Sequence, residues 1–340
     1  MQSRVKQATS FAVKLLLSIA VLAYIARSFD LRELRVHLVS MDPIMFVAAL
    51  ALVFLQTFVL NGRWELIMRA LGVSMDWMGT WRILMISLWF NQALPSSVGG
   101  DAVRIWLLRQ RGVQWSQAVK GVAADRFTAL LGLVALMVVG LPLLWSRVSN
   151  PPAILAIGGL TLAGVAGTVV LLTLDWWPKR LITLRPIASF VRFGSLVRHL
   201  LLQFERRGVL FGSAIFIHLM TAAACYLLAV GLKAQLSFLD ACILIPPVIL
   251  LTAVPISISG WGVREGAMVA CLGLAGVSSE DALSISLLLG AISVFIGMVG
   301  GAIWLLSPER GTYSASLAAE AADGSLDYGL RQAEEASGRP

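Results

Sequence analysis

The sequence predicts an all-α polytopic membrane protein with about six full spans and two re-entrant helical hairpins related by an inverted internal repeat. Three observations support this fold class. Of 340 residues, 58% are hydrophobic and 14% are charged, whereas about a quarter are charged in soluble domains. Several apolar runs reach about 18 residues, the length that crosses a bilayer. Two further runs are short and end at proline, which is typical of broken helices.

The full spans are predicted from long runs that are nearly free of charge. They cover residues 9–27, 43–62, 117–145, 152–174, 208–230 and 281–306. Arg4 and Lys6 precede the first run, but no small-x-small cleavage site follows it, so we expect a retained helix rather than a removed signal peptide. Beyond Pro308 the chain is polar, which predicts a membrane domain over 1–308 and a disordered cytoplasmic tail over 309–340.

Two apolar segments are too short to be simple spans. They cover 81–94 and 238–254, stop at Pro95 and Pro255, and precede second short helices predicted over 101–111 and 262–276. Non-helical backbone at membrane depth is tolerated where protein or water satisfies its amides, so broken helices commonly line a site. We therefore expect the binding site at these two breaks.

The positive charges of the chain indicate its topology. The formal charge of +8 comes from basic residues between the apolar runs, which favours membrane orientation over nucleic-acid binding as its explanation. The strongest basic block runs from Lys179 to Arg207 and is predicted to be cytoplasmic. With both termini also cytoplasmic, the two hairpins enter from opposite faces. Arg27, Arg32 and Arg35 then lie outside, against the positive-inside rule.

The two breaks share a motif. Residues 95–104 read PSSVGGDAVR and residues 255–264 read PISISGWGVR, with five identities in ten positions at an offset of 160. Downstream, Gly112-Val113 and Ala118 match Gly276-Val277 and Ala282 after a shift of four residues, about one helical turn. We interpret this as an internal repeat. Opposite entry of the hairpins makes the repeat inverted, a common construction in transporters that bind substrate near the midplane.

The residue types of the motif favour an anion site. Proline ends the incoming helix, glycine permits a tight turn, and serine or aspartate can cap the outgoing helix. Free amides and a positive dipole end then face the membrane interior, with an arginine one turn further in, and this suits a phosphate. The predicted substrate-binding residues are Arg104, Arg264, Ser97, Ser257, Gly100, Gly260, Asp101, Glu265, Asp125 and Arg126.

A structural alternative exists for the motif. Its glycines and serines would allow close helix packing in lipid, and each arginine would pair with a local carboxylate such as Asp101 or Glu265. Against this, intramembrane arginines are costly and commonly functional.

Two further sets of ionisable residues lie at or near the bilayer. Asp125 and Arg126 are compatible with a structural pair or with cavity lining, whereas Arg63 and Glu65 are weaker cavity candidates because an interfacial position costs little. The three cysteines and three histidines lack metal-ligand spacing, so we expect no metal site.

Three segments carry a family resemblance. Residues 94–104, 125–133 and 255–266 resemble the lysylphosphatidylglycerol synthase transmembrane-region family, also described as flippase-like, and the resemblance runs from about residue 10 to 306. In two-part members the resemblance implies a membrane domain that moves a modified phospholipid between leaflets, beside a soluble C-terminal domain that makes it. Other relatives are implied to act on polyprenyl-linked sugars. Asp125 stands where members more often have glutamate, and the polar tail is too short for a synthase domain.

These observations predict a lipid translocase of the bacterial plasma membrane. It would bind an anionic phospholipid or polyprenyl-phosphate headgroup in a central cavity, where Arg104 and Arg264 neutralise the phosphate and Asp101, Glu265 and Asp125 hold the arginines or meet a cationic headgroup. No Gly-x-x-x-x-Gly-Lys-Ser/Thr motif is present, so passive or ion-coupled movement without a cofactor is expected. The alternatives are an integral membrane lipid-modifying enzyme and an accessory subunit of a membrane glycosyltransferase.

Overall fold

The computed structural model describes residues 39–93, 99–176, 185–253 and 261–307. The α-helices in this part of the chain are α1 (Pro43–Ala70), α2 (Trp77–Ala93), α3 (Gly99–Gln110), α4 (Trp115–Arg147), α5 (Pro151–Thr173), α6 (Arg185–Arg198), α7 (Arg207–Gly231), α8 (Phe238–Ala253), α9 (Val263–Gly273) and α10 (Ser279–Leu305). A 3-10 turn, Leu174–Trp176, follows α5, and a π-helical turn, His199–Gln203, follows α6.

Five of these helices are long and apolar enough to cross a membrane, namely α1, α4, α5, α7 and α10. They coincide within a few residues with the predicted spans from residue 43 onward, except that α1 continues eight residues further, to Ala70. The prediction of a helical multi-pass membrane protein is confirmed. The predicted first span, 9–27, and the tail over 309–340 lie outside the described residues.

The short helices also fall where the sequence predicts them. Helices α2 and α8 have 17 and 16 residues, so each is about 24–26 Å long, less than the ~30 Å of a hydrocarbon core. Pro246 and Pro247 lie inside α8 without ending it. Whether α2–α3 and α8–α9 are re-entrant hairpins stays a prediction.

Local sequence sets the starts of the long helices. The Asp42 side chain accepts a hydrogen bond from the Ile44 amide at 2.8 Å, and the Asn150 side chain accepts one from the Ala153 amide at 3.2 Å. A proline follows each of these caps, where its missing N–H costs nothing. Ser278 caps α10 by accepting from an amide in its first turn.

The helix order of α1–α4, here called the N-terminal unit, recurs in α7–α10, the C-terminal unit. Each unit runs long, short, short, long. Gly72 and Lys233 follow the first helix of each unit with positive φ, and Gly112 and Gly276 follow the third. At all four turns the next amide returns to the carbonyl five residues earlier, which is the Schellman arrangement. The units therefore share local turn geometry as well as helix order.

The two units pack against each other along several helices. Helix α1 contacts α7, α2 contacts α10, and α8 contacts α4. The α2–α10 contact is close, because a Cβ at Gly300 would overlap the Met85 carbonyl oxygen and a Cβ at Gly301 would meet the Trp89 ring. Small residues permit such an approach in lipid, where van der Waals packing drives helix association. Helix α5 lies to one side, with Thr161 as its one buried residue.

Candidate functional site

Three arginines and two aspartates form an ion network, here called the arginine cluster, in which Arg126 is exposed and the other four residues are buried. The Arg63 Nε donates to Asp125 Oδ1 at 2.9 Å, and Arg104 Nη1 donates to Asp125 Oδ2 at 3.1 Å. Arg126 forms a bidentate pair with Asp101, with both N···O distances at 2.8 Å. Asp101 also lies 3.9 Å from Arg104. The cluster thus joins α1, α3 and α4, and Asp125 holds two arginines at once.

Glycine brings the start of α3 into the cluster. A Cβ at Gly100 would overlap the Ser87 carbonyl oxygen of α2, so only glycine allows this backbone approach. The Gly100 amide donates to Asn91 Oδ1 at 3.0 Å. With α3 fixed in this way, Asp101 and Arg104 share one face at i,i+3 spacing and point towards α4.

The cluster carries an excess of positive charge. It contains three guanidinium groups and two carboxylates. Arg104 is 3% exposed, and its guanidinium lies 3.9 Å from the centre of the Trp64 ring, a cation–π contact. Nε and Nη2 of Arg104 and Nη1 of Arg63 are buried without a hydrogen-bond partner among the described residues. Leaving a buried donor unpaired costs about 1–3 kcal/mol, so a ligand with acceptor oxygens would relieve this cost.

A cavity of about 270 Å³ adjoins the cluster and lies between the two units. Arg63, Arg104, Asp125 and Arg126 line it, together with residues of α1, α2, α4, α7 and α8, namely Gln56, Leu60, Leu84, Ser87, Leu88, Asn91, Ala129, Ile217, His218, Thr221 and Ile249. This volume is slightly below the ~300–1,000 Å³ of drug-sized ligand pockets. The cavity therefore suits a small group rather than a drug-sized ligand.

Fixed hydrogen bonds shape the wall opposite the arginines. Gln56 donates to the Ile217 carbonyl and to Thr221 Oγ1, both at 2.9 Å, and His218 Nε2 lies 2.9 Å from the Ala129 carbonyl. These contacts tie α1 and α4 to α7. The cavity therefore lies at a contact between the units.

The second motif has a different environment. Arg264 Nη2 donates to Oε1 of the adjacent Glu265 at 2.6 Å, and its Nε lies 3.2 Å from Ser286 Oγ. Glu265 is fully buried and also accepts from the Gly262 amide, which caps the start of α9. The Arg264 guanidinium lies 4.7 Å from the Trp261 ring centre. Arg264 and Glu265 thus form a neutral pair within one turn.

The predicted site residues fall into three groups. Arg104, Asp101, Asp125 and Arg126 come together in the arginine cluster, with Gly100 beside them. Arg264 and Glu265 pair with each other and do not line the cavity. Ser97, Ser257 and Gly260 lie outside the described residues. The structural alternative paired each motif arginine with a carboxylate close to it in sequence. Arg264 has such a partner, whereas the nearest carboxylate to Arg104 is on α4.

Arg63 has a larger part in the site than the sequence indicated. It is 3% exposed and bonded to Asp125, whereas Glu65 pairs with Arg69 one turn later. Glu65 is itself buried, so its i,i+4 pairing with Arg69 does not mark which face of α1 points inward. No sequence signal identified Trp64 or Asn91 as neighbours of the site.

Comparison with known proteins gives one family. The family model described as the lysylphosphatidylglycerol synthase TM region matches residues 11–301. A search of curated proteins finds no match. The matched range includes the arginine cluster, the cavity and both motifs.

Proposed function

We propose, from the premise that this chain belongs to the lysylphosphatidylglycerol synthase TM-region family, that it binds the anionic headgroup of a membrane lipid in the cavity and moves it across the bilayer. The family relates the chain to lipid handling in a membrane. The ligand and the movement are inferences from the site. We also propose the orientation with both termini in the cytoplasm of a bacterial cell.

The observation that carries this proposal is the unpaired capacity of Arg104. Its side chain is buried, it belongs to a network with one excess positive charge, and two of its nitrogens have no acceptor among the described residues. Buried charges in proteins are normally paired. A phosphate or phosphodiester supplies the missing negative charge and the missing acceptors together.

The residues of the arginine cluster would have different roles in binding. Arg104 and Arg63 would donate to the phosphate, because both line the cavity and both have spare N–H groups. Asp125 binds both arginines, one at each carboxylate oxygen, and Asp101 forms a bidentate pair with Arg126. The two aspartates would also receive a cationic headgroup, should the lipid carry one. Ser97, Ser257 and the glycine amides remain predicted contributors.

The position of the cavity suits translocation. A charged headgroup cannot cross hydrocarbon cheaply, and the charged side chains of a cavity between two helical units would replace water during the crossing. We propose that the units form an inverted repeat and that opening on alternate sides of the cavity moves the headgroup. In this scheme Arg104 is the principal phosphate ligand, and the Arg264–Glu265 pair fixes the start of α9.

Reconstitution with a fluorescent phosphatidylglycerol tests the proposal. A membrane-impermeant quencher removes the fluorescence of probe molecules in the outer leaflet. The rate at which the remaining fluorescence is lost therefore measures movement from the inner to the outer leaflet. Arg104→Gln should slow movement about 10–100-fold, the value of a charged hydrogen bond. Arg264→Gln is the matched control, since it changes the equivalent motif arginine away from the cavity, and it should slow movement less than about threefold.

Three outcomes would contradict the proposal. Equal rates for wild type and Arg104→Gln, with both proteins folded, would show that the cluster does not bind the moving headgroup. A chemically altered lipid after incubation, detected by mass spectrometry, would favour the lipid-modifying enzyme instead. Movement that requires a co-purifying glycosyltransferase would favour the accessory subunit.

A further inference from the structure

A second groove lies on the far side of α4. It occupies about 620 Å³ between α4, α5 and α6, and Phe127, Leu130, Gly164, Gly167 and Phe193 are among its lining residues. Helix α5 is strongly apolar, yet Thr161 is its one buried residue. Gly167 leaves open space, since nothing lies within 4 Å of a Cβ built there, whereas Gly164 packs closely against Val134 of α4. The residues that line the groove are almost all apolar, which suits a hydrocarbon chain.

Helix α6 lies across one end of this groove and is held there by specific contacts. Arg198 donates to the Leu172 carbonyl at 3.4 Å, near the C-terminal end of α5. The Phe193 ring packs edge-on against Phe127 with centroids 5.9 Å apart. A Cβ at Gly194 would overlap the Leu171 carbonyl oxygen. The groove therefore ends at a fixed helix.

A basic mouth continues from the groove. A second cavity of about 440 Å³ is lined by Trp115, Ser116, Lys120 and Arg192, and it shares Phe190 and Phe193 with the groove. No acidic residue is among those that line either cavity. Lys120 and Trp115 are exposed, and tryptophan is enriched at the level of lipid headgroups.

We infer that this surface, the α4–α6 lipid site, binds one anionic glycerophospholipid of the surrounding membrane. Its phosphate lies between Lys120 and Arg192, and one acyl chain fills the groove beside Gly167. Charge complementarity at the mouth selects an anionic headgroup, and the adjoining apolar groove selects a lipid over a free phosphate. This site shares no side chain with the cavity of the arginine cluster, so it stands apart from the proposed function.

The α4–α6 lipid site has a structural consequence for the cluster. Helix α4 carries Asp125 in the cluster and Phe127 in the groove. Residues two apart lie on opposite sides of a helix. A lipid in the groove therefore supports the back of the helix that positions Asp125.

Trp115 provides a local probe for the test. Purified protein in detergent is titrated with phosphatidylglycerol or phosphatidylcholine whose brominated acyl chains quench tryptophan fluorescence. The part of the quenching that is seen in wild type and absent in Trp115→Phe reports on this site. Wild type should bind the anionic lipid at least about fivefold more tightly. Lys120→Gln with Arg192→Gln should weaken phosphatidylglycerol binding about 10–25-fold and weaken phosphatidylcholine binding much less, since phosphatidylcholine has no net charge.

A pair of glycine substitutions tests the groove. Gly167→Leu should abolish quenching by both lipids, because its side chain enters space that the acyl chain needs. Gly159→Leu is the control, since Gly159 lies on the same helix, also has nothing within 4 Å of a Cβ, and does not line the groove. It should bind as wild type does.

Any of four results would overturn the inference. Equal quenching by the two lipids in wild type, or no effect of the charge substitutions, would show ordinary annular lipid. Equal loss in Gly159→Leu and Gly167→Leu would show that α5 has simply been displaced. Loss of Trp115 quenching in Arg104→Gln would show that the quenching lipid is bound at the arginine cluster. Loss of lipid movement in that variant, with Trp115 quenching retained, would still support the α4–α6 lipid site.

Discussion

The N-terminal and C-terminal units share a helix order and turn geometry but treat their motif arginines differently. Arg104 reaches across to Asp125 of α4 and retains unpaired donors, whereas Arg264 pairs with its own neighbour, Glu265. The motif therefore does not fix the role of its arginine. The role of each arginine depends instead on the side chains of the last helix in its unit, α4 or α10.

The difference can be traced to equivalent positions on α4 and α10. Matching Gly112 to Gly276 places Arg126 opposite Gly290. Gly290 leaves room for the Arg264 guanidinium, because a Cβ there would meet Arg264 Nη2. In the N-terminal unit that position is filled by a charged side chain bonded to Asp101. A charged network forms in one unit, and a local pair forms in the other.

The largest difference between the units is expected from removing the central carboxylates. Asp125→Asn leaves Arg63 and Arg104 buried without their shared counter-ion, which should cost about 3–5 kcal/mol of unfolding free energy. Glu265→Gln should cost less, about 1–3 kcal/mol, because Arg264 keeps Ser286 and is partly exposed. Unfolding in mixed detergent measures both. A larger cost for Glu265→Gln would contradict this comparison.

Glycine contacts between the units should give the next effect. Gly300→Ala places a Cβ on the Met85 carbonyl of α2, and such overpacking costs about 1–3 kcal/mol. Gly140 on α4 faces Ile243 of α8 at an ordinary 3.8 Å, so Gly140→Ala should change stability by less than about 0.5 kcal/mol. Thermal unfolding of the two variants in one detergent checks the difference, and equal stability losses would refute it.

The two cation–π contacts should differ more modestly. Trp64 is fully buried under Arg104 at 3.9 Å, whereas Trp261 is partly exposed and lies 4.7 Å from Arg264. Trp64→Phe should lower the unfolding free energy by about 1–2 kcal/mol, and Trp261→Phe by about 0.5–1 kcal/mol. Chemical unfolding measures both changes. The reverse order would show that burial of the ring does not strengthen the contact.

The smallest effect is expected at the exposed ion pair between the units. Arg147 on α4 lies 3.0 Å from Asp240 on α8, and the two side chains are 45% and 19% exposed. Arg147→Gln should cost less than about 1 kcal/mol, because exposed pairs contribute little. A cost comparable with that of Asp125→Asn would mean that burial is not what separates the cluster from other ion pairs.

Part of the site followed from the sequence. Arg104, Asp101, Asp125 and Arg126 were all predicted, because ionisable residues are rare within apolar runs and commonly functional. The equal weight given to Arg264 came from sequence symmetry. A repeated sequence motif does not indicate which carboxylate each arginine contacts. Glu265 is adjacent to Arg264, whereas Asp125 is 21 residues away from Arg104.

The sequence by itself determined the helical class and most of the helix bounds, the end of α1 at Ala70 being the main exception, because apolar length, N-caps such as Asp42 and Asn150, and glycine turns act within a few residues. Tertiary structure alone decided that Arg63 faces inward and shares Asp125 with Arg104. That arrangement depends on how closely α3 approaches α2 at Gly100 and on which face of α1 meets α4. These are properties of packed helices, and no local pattern encodes them.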